Sequence, residues 1–530
     1  MKKILLLLIA TSFAAPGISL AQRQNNKARP ALRKAAPATA SRSSNTRVAT
    51  LKNQLSDALR MAQSGQYDSA ANNLFSLSRR PELANERPQV KYILGTMLIE
   101  LKLYQTAAFQ FVDVIRSNHP KYAKLAIEKL SVVADALGDD TILNYAISRV
   151  DLNDFPANLK DMIHYRLGEI KLRNRDFSGA AALFSRVSFG SSTYYQALFN
   201  KGLAELEANQ TSLAVGTFNK MLDARRRAPV TDTNKVAAQM GLARALYQKQ
   251  DWEAAIEAYA QVPRDTLMWH DAVFESSWAM LRAARFRSAL SNFQTLHSAY
   301  YEDFYMPESL LLRSIVYLYI CKYDEMEKVL SLFEKTYGPV RRKIGDFLKS
   351  TNEAGAYYTE VERAHVLKTT DRNANLRLPY IVVRNILDQG DVKRAMTYIE
   401  KLNNEKNRIE SNSAFRSSPL GQYAMKIISN RSRNAKFAVG DMAKAHLQNM
   451  RVELRDLYEQ AGFIRYEMIT GRKDSIKKKI AGKDIATEQI DDKIDRQFYI
   501  QNGYEYYPFQ GEFWLDEVGN YHYLGKQSCE

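Results

Sequence analysis

The chain is 530 residues long, 45% apolar and 11% aromatic, with a formal net charge of +17 and two cysteines. That length exceeds the ~250–300 residues at which a single hydrophobic core stops growing, and the apolar content excludes a mainly disordered chain. Two thiols exclude a disulfide framework, and the basic excess is concentrated near the N-terminus rather than laid out as a nucleic-acid footprint.

In chain order, residues 1–21 read as an export signal. Lys2 and Lys3 give a positive start, Ile4 to Ala10 an apolar stretch, and Ser19-Leu20-Ala21 a small-residue cleavage pattern before Gln22. The apolar run is shorter than the ~20 residues that span a bilayer, and no cysteine stands at the cleavage point to carry a lipid. The mature protein is therefore expected in the periplasm, soluble and not integral to the membrane. Residues 22–47 follow as a basic linker, holding Arg23, Lys27, Arg29, Arg33, Lys34, Arg42 and Arg47 and no acid. Such a tether suits an acidic surface, either anionic lipid or peptidoglycan, or else it is a solvated tail. An exported chain meets little nucleic acid, so none is expected as a partner.

From residue 48 to 339 one phrase recurs every 34 to 41 residues: a turn, an aromatic or apolar residue, a small residue, then a bulky one. The small residue falls at Ala70, Ala107, Ala180, Ala214, Ala255 and Ala289, with echoes at Leu143, Met326 and Ala395. The bulky residue falls at Leu74, Phe111, Ile147, Phe184, Phe218, Tyr259, Phe293, Leu330 and Ile399. A period of this length predicts stacked helical hairpins, each burying its face only against its neighbours. Small and bulky residues one turn apart share a helix face, so both meet the same neighbour. Gly95, Gly168 and Ala243 on the preceding helices let the two backbones approach. Lys201 breaks the pattern where an apolar residue belongs.

Residues 340–410 read as a degenerate helical region with one further unit near 379–402. Over 411–497, Met442, Leu447, Met450, Leu454, Leu457, Ile464 and Met468 are spaced for one or two long amphipathic helices. Coiled-coil pairing and a fold-back cap over the array both fit that pattern. Residues 498–530 form an aromatic box, with ten aromatics between Phe498 and Tyr523 cut by Gly503, Gly511 and Gly519. That texture predicts short strands or a compact hairpin. Its aromatics suit protein docking, stacking on a glycan, or packing against the long helix.

Little in the chain points to catalysis. The seven histidines include no pair spaced to ligate one metal from one helix, and no glycine-rich phosphate loop or nucleophile elbow occurs. No cofactor or metal is expected, and no enzymatic activity. His164 and His270 read as packed or surface residues. Cys321, at an inter-helix turn, reads as a small buried filler, and whether it pairs with Cys529 is left open. Two surfaces are candidates for binding. Tyr92, Tyr165, Arg244, Tyr247, Phe274 and Trp278 fall where the first helix of each unit would face a concave groove suited to an extended peptide. Tyr507, Phe509, Phe513, Trp514, Tyr521 and Tyr523 are the candidates in the terminal box.

The recurring phrase resembles the tetratricopeptide repeat family over roughly residues 50–340. The closing segment from Tyr507 to Gly519 with Tyr521, Tyr523 and Cys529 is similar to that of periplasmic repeat proteins of deltaproteobacteria, including envelope components of adventurous gliding motility. The resemblance implies an all-α solenoid, long C-terminal helices, a small aromatic-rich end, and a scaffold joining envelope proteins or peptides. A glycan- or peptidoglycan-binding role for the box is the alternative.

Overall fold

The computed structural model describes residues 41–117, 119–139, 141–147, 157–367, 376–480 and 512–523. The expected export signal, most of the basic linker, Tyr507, Phe509 and Cys529 lie outside the described residues. All regular structure among the described residues is helical, and it opens as eight successive hairpins. They are α1 (Ser41–Gln63) with α2 (Tyr67–Ser78), α3 (Arg87–Glu100) with α4 (Tyr104–Arg116), and α5 (Pro120–Leu137) with α6 (Thr141–Ile147). Next come α7 (Ala157–Arg173) with α8 (Phe177–Phe184), α9 (Tyr194–Glu207) with α10 (Thr211–Ala224), and α11 (Thr233–Gln248) with α12 (Trp252–Ala260). The last two pairs are α13 (Trp269–Arg282) with α14 (Phe286–Leu296) and α15 (Pro307–Tyr319) with α16 (Tyr323–Ser350). Helix α1 starts inside the stretch read as linker.

Each hairpin turns through one left-handed residue: Gly65, Lys102, Gly138, Arg175, Asn209, Gln250, Ala284 and Cys321, with φ between 57° and 80°. At every turn but that of Gly138, the amide that follows closes a six-residue ring onto the first helix, as in Leu103 N–H to Leu98 O (2.8 Å) and Gln210 N–H to Glu205 O (2.8 Å). This satisfies a carbonyl that the helix end would leave bare. Only two of the eight are glycine, so this closure sets the turn at six positions despite the ~1–2 kcal/mol that an L-residue loses there.

Counting seven residues back from each left-handed position gives Ala58, Gly95, Ser131, Gly168, Gly202, Ala243, Ser277 and Ser314. Every one is small. Opposite them stand the bulky residues of the second helices, and the sizes are matched. A Cβ at Gly95 would lie 2.7 Å from the Phe111 ring, one at Gly168 2.6 Å from Phe184, and one at Gly202 2.5 Å from Phe218. Phe218 also presses on Gly241 of the next unit, so one ring wedges two units together. Leu143 and Met326 fill the small-residue position in their units and are fully buried, so the hairpins tolerate bulk there. In unit five Lys201 donates to Glu205 (2.6 Å) and Thr217 (2.7 Å), replacing an apolar contact by a closed polar one around a carboxylate only 3% exposed.

Beyond the array, α16 runs through Pro339 without ending, so much of the stretch read as degenerate is an extension of the eighth hairpin. Helices α17 (Ala354–Leu367), α18 (Tyr380–Asp388), α19 (Gly390–Ser411) and α20 (Ser413–Ser417) lead into α21 (Pro419–Ile480). At 62 residues α21 is about 90 Å long, a single helix where the spacing allowed two. Its start packs on units one and two: Tyr423 meets Phe75 at 5.0 Å, and the Arg431 guanidinium sits 5.1 Å from the Phe109 ring. Its end packs on unit eight, with Tyr458 against Phe333 (4.9 Å) and Arg472 paired to Asp324 and Glu327. Along the way its backbone meets α17 so closely that a Cβ on Gly440 would overlap the Ala354 carbonyl.

Helix α19 completes the closure. Gln105 N–H donates to Glu405 Oε1 (2.8 Å) and the Tyr398 hydroxyl to Gln105 Oε1 (2.5 Å), joining α19 to α4 across about three hundred residues of sequence. The open array expected from the repeat is thus curled until its ends share one apolar cluster, with α19 and α21 between them. Burial pushes the Glu405 carboxyl up to about 8, and its Oε2 has no partner.

Two outcomes are expected. Gly168→Ala forces the Phe184 ring aside and costs about 1–2 kcal/mol in urea unfolding, while adding Phe184→Leu recovers part of that loss. The unfolded chain releases the Glu405 proton near the ordinary carboxylate value and the folded chain holds it to about 8. Stability therefore falls as pH rises through that window, by at most about 1.4 kcal/mol per unit from this group. Thermal melts of Glu405→Gln against the parent should show a flatter dependence between pH 5 and 8.

Candidate peptide-binding surfaces

Within the first helices, the groove candidates occupy one stripe. Tyr92, Tyr165 and Phe274 stand ten residues before the left-handed turn, Arg244 and Trp278 six before it, and Tyr247 three before it. Those offsets are one turn apart on one helix face. The stripe is not uniformly open. Tyr165 is only 9% exposed and packs on Phe184 (5.9 Å), so it belongs to the core rather than the groove lining. Tyr92, Phe274 and Trp278 are half-buried against the core, with Tyr92 between Phe111 (6.1 Å) and Tyr122 (5.8 Å).

The polar members sit at units six to eight. Arg244 reaches Glu275 of the next unit through Nε (2.8 Å) and Nη2 (2.6 Å), and the Tyr259 hydroxyl donates to the same carboxylate (2.9 Å). Burial first, and Glu275 second, hold the Tyr259 phenol far above its usual range. Tyr247 meets Trp252 edge-on at 5.0 Å, and the Arg282 guanidinium lies 5.9 Å from that indole. Arg282 Nε and Nη2 are shielded from solvent yet have no hydrogen-bond partner. Nearby, burial raises the Glu308 carboxyl. Glu453 of α21 keeps one side open to solvent, but surrounding protein, and then Glu308, push its carboxyl up to about 7. The Tyr305 hydroxyl donates to it at 3.4 Å. Sequence reasoning missed Arg282, Glu308 and Glu453. The first two lie in the repeat, but nothing in the period marks them, and Glu453 arrives from another element entirely.

The second surface carries the described part of the terminal box. Residues 512–523 hold a turn at 515–519 and no strand, so the short strands or compact hairpin expected of the box find no strand within its described part. The segment is seated on units seven and eight. Arg264, in the loop before α13, donates to the carbonyls of Leu515 (2.8 Å) and Asp516 (3.4 Å). The Tyr300 hydroxyl donates to Phe513 O (3.4 Å). Gly519 N–H donates to Thr295 Oγ1 (3.0 Å) and Tyr523 N–H to Ser291 Oγ (3.0 Å), both on α14. Val518 is buried, Phe513 packs edge-on to Tyr521 (6.3 Å), and Tyr523 lies 6.5 Å from Tyr317. Gly519 has φ +91°, and a Cβ there would come within 2.8 Å of the Trp269 ring. Trp514 and Leu515 stay in solvent, at 61% and 68% exposure.

Two further residues singled out by the sequence are Cys321 and His270. Cys321 is half-exposed at a left-handed turn and disulfide-bonded, not a buried filler; the reason is that the turn carries its side chain outward. His270 is 4% exposed, held between Tyr301 (4.6 Å) and Phe304 (4.2 Å). Among the described residues no group of three His, Cys, Asp or Glu could hold a metal, and no helix is long and apolar enough to cross a membrane.

A tetratricopeptide repeat family model matches residues 165–229 and 232–266, so the chain carries such repeats from α7 to α12. No curated protein matches the sequence. Among solved structures, the chain is similar to the apo form of RapI at 8% identity and TM-score 0.35, covering 68% of this chain and 99% of that one. It is also similar to a Rap protein complexed with competence and sporulation factor, at 12% identity and TM-score 0.29, over 67% of this chain and 99% of that one. For the TPR domain of P58(IPK) the values are 11%, 0.19, 72% and 99%. At those scores the structural likenesses carry no argument.

Replacing Arg244 by Ala should cost about 1 kcal/mol, since the pair is partly open to solvent and screened. The exchange Arg244→Glu with Glu275→Arg should recover more than half of the loss from either single change. Urea denaturation of the three chains checks this.

Proposed function

We propose that the chain is a scaffold that binds protein partners through an extended peptide, using the inner stripe of units six to eight. The observation that carries this reading is Arg282, whose Nε and Nη2 are shielded from solvent without an acceptor beside Tyr247 and Trp252, with the raised carboxyl of Glu308 facing Tyr247 and that of Glu453 facing Glu308. Shielded guanidinium N–H groups without acceptors are costly unless a ligand supplies them, and a peptide carboxylate or backbone carbonyl does so. The carboxyls next to it suit a peptide ammonium or a basic side chain. Aromatic rings along the stripe give contact area with few rotors to freeze. Helical-repeat arrays commonly work in this way.

The setting belongs to the same proposal. The pattern of residues 1–21 supports export to the periplasm, and residues 22–47 support contact with an acidic envelope surface. The likeness of the terminal box supports a place in a cell-envelope complex of the gliding-motility kind. No catalytic role is assigned. A second reading, sacculus binding by the box, is favoured by the solvent-exposed indole of Trp514, which could stack on a sugar ring.

Proximity labelling in the periplasm, followed by binding assays with the captured proteins, tests the scaffold. Arg282→Ala and Tyr247→Ala are expected to weaken a genuine partner at least tenfold without shifting the thermal midpoint. Labelling confined to cytoplasmic proteins, or partners indifferent to both changes, refutes the reading. Sedimentation with purified sacculi that is lost in Trp514→Ala would favour the second reading instead.

A further inference from the structure

Five hydrogen bonds that seat residues 512–523 on the array each run between an array side chain and a tail backbone atom. Recognition of this kind reads the path of a chain rather than its charges. Ser291 and Thr295 stand one turn apart on α14, and their hydroxyls donate to Arg287 O (3.0 Å) and Ser291 O (3.4 Å) of their own helix. Each oxygen then has its lone pairs left to accept an amide. The two amides it meets, of Gly519 and Tyr523, are spaced by the same four residues. Side chains of the occupant contribute as well, with Tyr523 packed beside Tyr317 at the edge of the core. A buried aliphatic residue, Val518, precedes a residue that must be glycine, because it crosses the Trp269 ring at positive φ. Trp514 and Leu515, the large apolar residues of the turn, are held outward and add nothing to the seat.

The geometry points to a second peptide-binding site on units seven and eight, a shelf of Arg264, Trp269, Ser291, Thr295 and Tyr300. Its ligand is a short peptide turn carrying an aliphatic–glycine pair, and the chain's own C-terminal segment fills it as a built-in, displaceable occupant. It rests on the scaffold reading given above but uses different residues from the inner stripe. A tethered occupant competes at an effective concentration near the millimolar range, so an outside peptide binds only when the tether's fit is weakened or its own fit is better. Displacement would free Phe513, Tyr521 and Tyr523 together, coupling occupancy of the shelf to presentation of an aromatic tail.

The test uses the full-length chain and a fluorescein-labelled peptide of residues 512–523, followed by fluorescence anisotropy. Gly519→Val in the chain should unseat its own tail, so the free peptide should bind that variant at least tenfold more tightly than the parent. Adding Arg264→Ala, a change in an exposed loop, should weaken binding to the Gly519→Val chain about tenfold, and Thr295→Val should do the same. Equal binding to parent and Gly519→Val, no binding to either, or indifference to Arg264→Ala each overturns the proposal. Unchanged circular dichroism melts keep Thr295→Val interpretable, and Arg264→Ala decides the matter if that buried threonine unfolds the chain. Failure here with partners still sensitive to Arg282→Ala would remove the shelf and leave the scaffold. Loss of Arg282 sensitivity with peptide binding intact would do the reverse.

Discussion

Everything in this molecule depends on how closely the two helices of each hairpin can cross. A bulky side chain from the second helix lies flat on a position of the first helix that has almost no side chain of its own. Opposite Phe111, Phe184 and Phe218 the position is glycine. Opposite Leu74, Ile147, Tyr259, Phe293 or Leu330, alanine or serine suffices. Interiors packed to the density of organic crystals do not tolerate an added methyl without displacement, so the matched sizes hold each crossing at one distance. That distance, repeated, sets the stacking of the units.

Repetition alone would leave a ribbon with two exposed ends. Here the ends are occupied by the rest of the chain. Helix α19 brings Tyr398 and Glu405 onto Gln105, and α21 carries an apolar face of Leu420, Ile428, Val439, Leu447, Leu454 and Met468 past both ends of the array. A carboxyl buried at that junction with one oxygen unpartnered is a weak point, and it lies where the array is closed rather than where it is stacked. The curl also brings Glu453 to the inner side of unit eight, next to groups the repeats supply. A surface built from both the array and its closing helix is more specific than either could offer, since neither set of residues forms it alone.

The two binding surfaces use different physics. The inner stripe presents aromatic area with shielded donors on Arg282 and carboxyls raised by burial, which rewards a ligand able to supply polar partners there. The outer shelf on α14 presents hydroxyl lone pairs and a flat indole, which rewards a particular backbone path. The sequence marked the aromatics of both regions, yet it ranked Tyr165 with Arg244 although one is core and the other solvent-facing. A half-buried stripe looks the same in sequence whichever way each ring finally leans.

Residue spacing by itself determined the all-helical class, the hairpin period, and the small and bulky positions from Ala70 to Leu330, because each depends on neighbours within one or two units. It also marked residues 411–497 as long amphipathic helix, of which the described part runs to Ile480, since a 3.6-residue rhythm is local. Tertiary structure alone decided the rest. The left-handed turns at Lys102, Arg175, Gln250 and Ala284 carry no glycine signature, because helix closure imposes the conformation on whatever residue is there. The joining of Gln105 to Glu405, and of Thr295 to Gly519, spans 300 and 224 residues of chain. No periodicity reaches so far, and such contacts exist only once the curvature of the stacked units has brought the two segments together.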